Sequence, residues 1–306
     1  MTSVAVAGGT GFVGGAIVAE LDRRGQRVVV LTHRPGRALR RTPPQVEIRA
    51  ADVTSPDSLA GALDGVDALV ISLAFPGLPV ENRRRGWTFE NVDAGGTESL
   101  VAAARQRGVG RLLYISGAGA APGAARHWFR AKWRAETAVR ASGIPYTIIR
   151  PTWVYGPGDP SLNRFLVLAR FLPVVPLTGD GSQQLAPVFI DDVARLAADA
   201  LVEPAAVDQV LEIGGPETMS MRELVRRAIR ASGRSRPVLP MPVGLVKLAA
   251  LPMRLLPRPP LTPEAVDFVN QPATVDNGPL MALLPRRLTP FEEGLSTYLD
   301  GRGRRP

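Results

Sequence analysis

The sequence predicts an α/β fold with a doubly wound parallel sheet, followed by a smaller mixed C-terminal lobe. A short apolar run ends in a cluster of glycines and leads directly into a helical pattern, and apolar strands then alternate with helices up to Arg150. After Pro151 prolines become frequent and short strands mix with helices. We therefore expect a first domain over residues 1–150 and a smaller substrate or lid lobe, interleaved with it, over 151–306.

The first half of the chain has the pattern of repeated strand–helix units, in which short apolar runs indicate buried strands and 3.6-residue spacing indicates helices. Strands are predicted at 4–7, 28–31, 46–48, 68–72, 111–116 and 146–150. Helices are predicted at 12–24, 55–63, 98–106 and 129–141. Gly25 and Gly108 stand where glycine commonly ends a helix, and Ser55 is expected to cap the short second one. This alternation is typical of a parallel sheet with helices on both faces.

The second half is less regular. Strands are predicted at 188–190 and 210–213 and helices at 193–201 and 221–231, with Asp191 and Asp192 expected to cap the first of these helices. Residues 242–256 are apolar, with Lys247 and Arg254 interspersed, and suit a lid helix, a partner surface or an interfacial membrane contact. We favour packing against the body of the protein. No run reaches the roughly 18 apolar residues that a transmembrane helix needs.

Composition narrows the possible functions. The chain has no cysteine and two histidines, which excludes disulfides and a cysteine nucleophile, and no metal site is expected. The net charge of +9 favours anionic partners, but the arginines are scattered rather than interleaved with aromatics, so no nucleic-acid partner is predicted. A cytoplasmic location is expected because the N-terminus lacks the features of a secretory leader. The main arginine clusters are Arg37, Arg40 and Arg41, then Arg83 to Arg85, and finally Arg302, Arg304 and Arg305.

A glycine-rich turn follows the first predicted strand and opens the first helix. It consists of Gly8, Gly9, Thr10, Gly11, Phe12, Val13 and Gly14. Such a turn lets the backbone approach a pyrophosphate, while the helix N-terminus offers free N–H groups and the positive end of its dipole. The complete strand–turn–helix–strand context predicts a Rossmann-type site for a nicotinamide dinucleotide.

The end of the second strand distinguishes the two nicotinamide dinucleotides. NAD enzymes usually place an acid there against the ribose 2′-hydroxyl, but this chain has Thr32, His33, Arg34 and Pro35. A guanidinium binds a 2′-phosphate through charge-assisted hydrogen bonds. NADP(H) is therefore predicted over NAD(H), with Arg34 as the main phosphate ligand and His33 and Arg37 as helpers. The alternative is a solvated loop arginine.

Further motifs extend over nearly the whole chain. They are Ala51-Asp52-Val53, Ser72-Leu73-Ala74, Asn91-Val92-Asp93-Ala94-Gly95-Gly96-Thr97, Arg150-Pro151-Thr152-Trp153-Val154-Tyr155-Gly156-Pro157-Gly158-Asp159 and Val188-Phe189-Ile190-Asp191-Asp192-Val193-Ala194. Together with the glycine turn they resemble the extended and atypical short-chain dehydrogenase/reductase superfamily. Glu212-Ile213-Gly214-Gly215-Pro216-Glu217 and the proline-rich tail resemble the branch that contains the NADPH-binding accessory subunit of complex I.

The resemblance assigns cofactor contacts outside the glycine turn. It implies that Asp52 and Val53 hold the adenine and that Leu73 and Ala74 pass under the ribose. It also implies that the segment containing Pro151 and Val154 lies beside the nicotinamide.

The chain departs from the family pattern where the catalytic residues are expected. Active members use a Tyr-x-x-x-Lys pair; here Lys132 is present, but Trp128 stands four residues earlier, and Ala118 occupies the position of the usual Ser or Thr. An indole N–H cannot act as an acid or base near neutral pH. Lys132 is therefore expected to contact the ribose; the alternative is a plain surface lysine. Ser116 is expected to bond a substrate oxygen; the alternative is a serine with a purely structural role. Tyr155 and His127 are alternative proton donors.

Three functions follow from these observations. The first is an atypical NADPH-dependent oxidoreductase acting on an unidentified small molecule. The second is a non-catalytic NADPH-binding sensor or assembly protein. The third, a sugar-nucleotide epimerase or dehydratase, is disfavoured because those enzymes rely on the missing tyrosine. By analogy with the scaffold we expect a monomer or homodimer.

Overall fold

A computed structural model of the chain describes residues 2–39, 42–256 and 262–299. Within these residues a seven-stranded sheet forms the centre of the molecule, in the order β11-β6-β5-β4-β1-β2-β3, with every neighbouring pair parallel. Its strands are β1 (Ser3–Ala7), β2 (Arg27–Thr32), β3 (Glu47–Ala50), β4 (Ala68–Ile71), β5 (Arg111–Ile115), β6 (Tyr146–Pro151) and β11 (Gln209–Ile213). The doubly wound parallel sheet predicted from the sequence is confirmed.

Helices cover the sheet and build most of the C-terminal lobe. They are α1 (Phe12–Arg23), α2 (Pro35–Ala38), α3 (Gly96–Gln106), α4 (His127–Arg140), α5 (Leu162–Phe171), α6 (Ile190–Val202), α7 (Met221–Ala231), α8 (Val243–Ala250), α9 (Pro263–Val269), α10 (Gly278–Leu283) and α11 (Phe291–Leu299). The remaining strands are β7 (Val154–Tyr155), β8 (Val175–Thr178), β9 (Gln184–Leu185), β10 (Val188–Phe189), β12 (Met219–Ser220) and β13 (Val238–Met241), paired in three small sheets. None of the helices in the described ranges is both long and apolar enough to cross a membrane.

Alternating side chains of the central strands produce the two layers. Val4 and Val6 of β1 pack on the face covered by α1 and α6, whereas Ala5 and Ala7 pack on the face covered by α3 and α4. Because successive strand residues point to opposite faces, a strand buried on both faces is a continuous apolar run in the sequence. The layer arrangement also shows that β11 and α6, which follow Pro151 in the chain, belong to the central sheet and its cover.

Three capping predictions are wrong. Ser55 precedes a short 3₁₀ turn, Pro56–Leu59, rather than an α-helix, and its side chain makes no capping bond. Helix α6 begins at Ile190, before Asp191 and Asp192, because the apolar Ile190 packs into the core of the lobe. The carboxylate of Asp192 instead accepts hydrogen bonds from Thr289, at 2.8 Å from its backbone nitrogen.

The apolar segment 242–256 forms α8 and a following 3₁₀ turn, Pro252–Leu255. It contacts the body of the protein through α9 and through the buried Ala250. Leu245, Leu248 and Leu251, however, are exposed, so packing against the protein accounts for only part of this segment. The arginines at positions 40, 41, 302, 304 and 305, which belong to the basic clusters of the sequence, lie outside the described residues. The same holds for the side chains of Arg37 and Arg254.

Candidate dinucleotide site and adjoining cleft

The glycine turn lies at the carboxyl end of β1, where open α/β sheets bind their ligands. Gly8 has φ +83°, and a Cβ on it would lie 2.1 Å from the carbonyl oxygen of Ser72. A Cβ on Gly14 would lie 2.3 Å from the carbonyl oxygen of Gly8. Gly11 precedes α1 and offers no side chain to cap it, so the amino end of the helix keeps its N–H groups free for an anion. The turn therefore fits a pyrophosphate.

The other residues of the turn connect this site to the C-terminal lobe. Thr10 is half-buried in the turn itself. Phe12 and Val13, which begin α1, pack partly against the core of the lobe. The lobe is therefore positioned directly beside the predicted pyrophosphate site.

A free cation lies at the end of β2. Arg34 is exposed, and its guanidinium makes no hydrogen bond, ion pair or ring contact with the residues that the structure describes. Its backbone nitrogen bonds the hydroxyl of Thr32 at 3.1 Å, which fixes the start of the loop. His33 is also exposed and lies close enough to Asp52 to lower the pKa of that carboxyl. Arg34 can therefore reach a ligand without breaking a bond to the protein.

The predicted adenine and ribose contacts follow β3 and β4. The Asp52 carboxylate accepts bonds from the backbone and hydroxyl of Thr54, at 2.9 and 2.6 Å. Burial raises the pKa of Asp52, but these bonds and His33 outweigh it, and the pKa lies below the usual range. Leu73 is half-buried and Ala74 exposed at the end of β4.

Helix α3 approaches these two loops closely. It is preceded by a π-helical turn, Phe89–Gly95, which overlaps the Asn91–Thr97 motif and was not predicted from the sequence. A Cβ on Gly96 would lie 2.7 Å from the side chain of Val53 and 3.1 Å from that of Leu73. The glycine thus lets the segments predicted to hold adenine and ribose meet at the start of one helix.

Lys132 is held at the carboxyl end of β5. Its Nζ lies 2.8 Å from an oxygen of the buried Asp93 and donates to the carbonyl oxygen of Ile115 at 3.0 Å. The other Asp93 oxygen accepts a bond from the hydroxyl of Tyr114 at 2.7 Å. Burial raises the pKa of Tyr114 well above its usual value, and the Asp93 charge acts in the same direction. Lys132 is therefore part of a buried ion pair, whatever else it contacts.

The hydroxyl of Ser116 is engaged by a buried carboxylate. It donates to Oε1 of Glu136 at 2.6 Å, and Glu136 is fully buried. Two nitrogens of Arg150 donate to the same carboxylate at 2.8 Å, and Arg140 donates at 2.9 Å. A substrate oxygen would have to compete with a charged acceptor for the Ser116 proton.

Trp128 lies inside an aromatic cluster rather than at an open surface. Its ring centroid is 5.3 Å from that of Phe268 on α9 and 6.3 Å from that of Phe89. Its buried Nε1 has no hydrogen-bond partner among the residues that the structure describes. An unsatisfied buried donor is uncommon in proteins. The position that the family resemblance assigns to the acid is thus filled by a neutral ring.

The structure separates the two alternative proton donors. Tyr155 is buried, its hydroxyl donates to the backbone carbonyl of Phe291 at 3.2 Å, and burial raises its pKa far above the usual range. His127 is half-exposed, and its Nε2 lies 3.0 Å from a carboxylate oxygen of the more buried Glu81. The other oxygen of Glu81 accepts a bond from the backbone of Phe89 at 2.9 Å. A half-exposed imidazole oriented by a fixed carboxylate is an arrangement suited to proton transfer.

The segment after β6 completes the cleft. Pro151 ends β6 and is buried, and its carbonyl oxygen accepts a bond from the backbone of Ala118 at 3.0 Å. Val154 is half-buried in β7, which pairs with β10. Both residues predicted to lie beside the nicotinamide therefore stand at the same end of the sheet as Lys132.

Several residues of this region could not be found from the sequence. Glu81 lies in an irregular loop, and Phe268 is distant in sequence from the residues it contacts. Glu136 had a signal, because it stands four residues after Lys132 and one helical turn brings it to the same face. Asp93 lies inside a quoted motif, but nothing in its spacing indicates a partner.

Comparison with known proteins assigns the chain to a family. A family described as NAD(P)H-binding matches residues 8–204, which include the glycine turn, Arg34 and Lys132. The chain belongs to this NAD(P)H-binding family, within the extended and atypical short-chain dehydrogenase/reductase superfamily.

Relatives within this superfamily differ in their named roles. The chain is 28% identical over 230 residues to the mitochondrial NADH dehydrogenase [ubiquinone] 1 alpha subcomplex subunit 9 of Arabidopsis thaliana, with 72% of this chain and 55% of that protein covered. It is 30% identical over 265 residues to a 3 beta-hydroxysteroid dehydrogenase/Delta 5→4-isomerase of Mycobacterium tuberculosis, covering 76% of this chain and 70% of that protein. The chain thus spans little more than half of the first relative.

A solved structure supports the fold over the whole chain. The UDP-glucose 4-epimerase of Thermus thermophilus in complex with NAD superimposes with a TM-score of 0.76 and 23% identity, covering 98% of each chain. At this identity the likeness extends to the fold and not to the reaction.

Proposed function

We propose that this chain is an NADPH-dependent oxidoreductase that reduces a small carbonyl-type substrate without the usual tyrosine acid. The observation that carries the cofactor preference is Arg34: a free guanidinium at the end of β2, beside a turn that fits a pyrophosphate, with no acid in the adjoining segment 31–35. A 2′-phosphate would pair with this cation, whereas the 2′-hydroxyl of NADH would leave it in water. His33 would add a second donor.

Fluorescence titration of NADPH and NADH tests this preference directly. A charge-assisted hydrogen bond contributes roughly 1.5–3 kcal/mol, so Arg34→Ala should weaken NADPH binding about 10- to 150-fold. The affinity for NADH should change little, because it has no phosphate at that position. Arg105→Ala, at an exposed arginine on α3, is the matched control and should alter neither affinity. Equal losses for both cofactors would overturn the phosphate assignment.

The proton would come from His127. NADPH, when bound, would supply the hydride for the substrate carbon, and the substrate oxygen would need a proton from the protein. Trp128 cannot provide it, and Tyr155 is committed to a backbone carbonyl. If Glu81 orients the ring through Nε2, Nδ1 remains available to protonate the oxygen, and solvent can return the proton because His127 is half-exposed.

Substitution of this dyad tests the proton donor. His127→Gln should lower kcat about 100-fold or more for carbonyl reduction, in line with the usual contribution of a general acid, while NADPH affinity stays unchanged. Glu81→Gln should give a smaller loss, since it removes only the orienting charge. Undiminished turnover in His127→Gln would exclude this residue as the acid.

A non-catalytic NADPH-binding protein is the second candidate. It is favoured by the engagement of Ser116 with Glu136 and by the packing of Trp128 against Phe268, which leave fewer free polar groups in the cleft. Tight NADPH binding without hydride consumption over a broad panel of carbonyl compounds would support this candidate against the first. The cytoplasmic location and the monomeric or dimeric state stay predictions.

A further inference from the structure

An exposed apolar surface lies on the C-terminal lobe and is formed by residues that do not belong to the dinucleotide site. Strands β8 and β13 pair side by side and bring together two segments that carry most of the large exposed apolar side chains of the described residues. We call this surface the apolar face. Its members are Val167, Phe171, Leu172, Val174, Leu239, Met241, Leu245, Leu248, Leu251 and Leu256.

The apolar face is unusual for a surface that meets water only. Phe171 is 73% exposed and Leu248 is 64% exposed. Single exposed apolar residues are ordinary, but a group of this size marks an interaction site. Leu245 and Leu248 are three residues apart on α8 and therefore project from the same side of that helix.

The two segments that carry the apolar face are rich in basic residues and poor in acids. No Asp or Glu stands between Asp159 and Asp180, or between Glu223 and Glu264. The basic residues of these segments that are exposed in the structure are Arg164, Arg170, Arg226, Arg230 and Arg236. Arg227, by contrast, pairs with Glu217 and Glu292, and Lys247 pairs with Asp267. Arg170 is exposed, with its guanidinium 5.5 Å from the ring centroid of Phe171. Apolar and cationic groups thus occur together at the edge of the face.

We propose that the apolar face docks the protein onto an anionic lipid bilayer. Leucine, valine and phenylalanine side chains would enter the boundary between headgroups and acyl chains, and the arginines would pair with lipid phosphates. A protein partner would have to be strongly acidic to match the same surface, whereas a bilayer of anionic lipid provides the charge and the apolar layer together. None of the residues of the apolar face belongs to the glycine turn or to the loop that carries Arg34.

Flotation with lipid vesicles tests this proposal on the full chain. The protein should bind vesicles of 30% phosphatidylglycerol in phosphatidylcholine at least tenfold more tightly than pure phosphatidylcholine, and 0.5 M salt should reverse most of the difference. Leu245→Ser together with Leu248→Ser should reduce binding at least tenfold, and Arg170→Glu should reduce it by a smaller factor. Val202→Ser is the matched control, because Val202 is 62% exposed but lies on α6 outside the apolar face.

The outcomes separate this proposal from the cofactor assignment. NADPH affinity should be the same in all these variants, since none of the substituted residues belongs to the dinucleotide site. Failure of the protein to bind anionic vesicles, or equal binding by the double leucine variant, would overturn the proposal while leaving the cofactor assignment intact. A dimer in solution that dissociates in the double leucine variant would also overturn it, because the face would then be covered by a second copy.

Discussion

Replacing Lys132 with methionine would leave the buried carboxylate of Asp93 without its cation. The Asp93 side chain is only 4% exposed and would keep one neutral donor, the hydroxyl of Tyr114. Breaking a buried ion pair by removing one partner costs about 3–5 kcal/mol, because the remaining charge stays away from water. We therefore expect Lys132→Met to lower the free energy of unfolding by that amount and the melting temperature by roughly 6–10 °C.

A double-mutant cycle measured by urea unfolding isolates the pair. Asp93→Asn alone should also destabilise, whereas adding it to Lys132→Met should recover part of the loss, since neither charge is then buried alone. Methionine retains most of the apolar stem, so the loss reports the charge rather than a cavity. A destabilisation below about 1 kcal/mol for Lys132→Met, with no coupling to Asp93→Asn, would refute the assignment of a stabilising ion pair.

Two further substitutions test the glycine turn and a buried acid. Gly14→Ala should abolish dinucleotide binding and destabilise the fold by about 1–3 kcal/mol, because its Cβ would collide with the Gly8 carbonyl. Gly15→Ala is the control and should be tolerated, because its Cβ would meet only the carbonyl oxygen of Gly9, at 3.5 Å. Isothermal titration and thermal melts of the two variants check this contrast. Burial raises the pKa of Asp159 to about 6, so the folded protein holds a proton between pH 4 and 6 that the unfolded chain has lost. The stability of the wild type relative to Asp159→Asn should consequently fall by up to about 3 kcal/mol as pH rises through that range, and a flat difference in urea melts would contradict the shift.

The central sheet could be predicted from local sequence patterns, because the burial of each strand on both faces is visible in a short stretch of the chain. Val4 and Ala7 belong to a strand buried on both faces, and such strands are recognisable as uninterrupted apolar runs. The glycine turn could also be predicted from the sequence, since a Cβ at Gly8 or Gly14 would overlap a backbone carbonyl and these positions therefore require glycine. These features depend on residues that are close together in the chain.

The cleft was only partly predictable because its contacts are non-local. Lys132 and Ser116 were identified by position, but their partners Asp93 and Glu136 depend on how α3, α4 and β5 come together. The predicted start of a helix was wrong where tertiary packing determines it. Helix α6 starts at Ile190 because that side chain enters the core of the lobe, so the two aspartates after it do not occupy the capping position.

The place of β11 in the sheet has a consequence for how the protein is made. Residues Gln209 to Ile213 align with Thr147 to Pro151, so β6 remains an open edge until the ribosome has released the chain well past residue 213. Until then, its unsatisfied backbone groups are a template for pairing with other nascent chains. A fragment truncated at Pro151 should accordingly aggregate rather than behave as an autonomous nucleotide-binding unit.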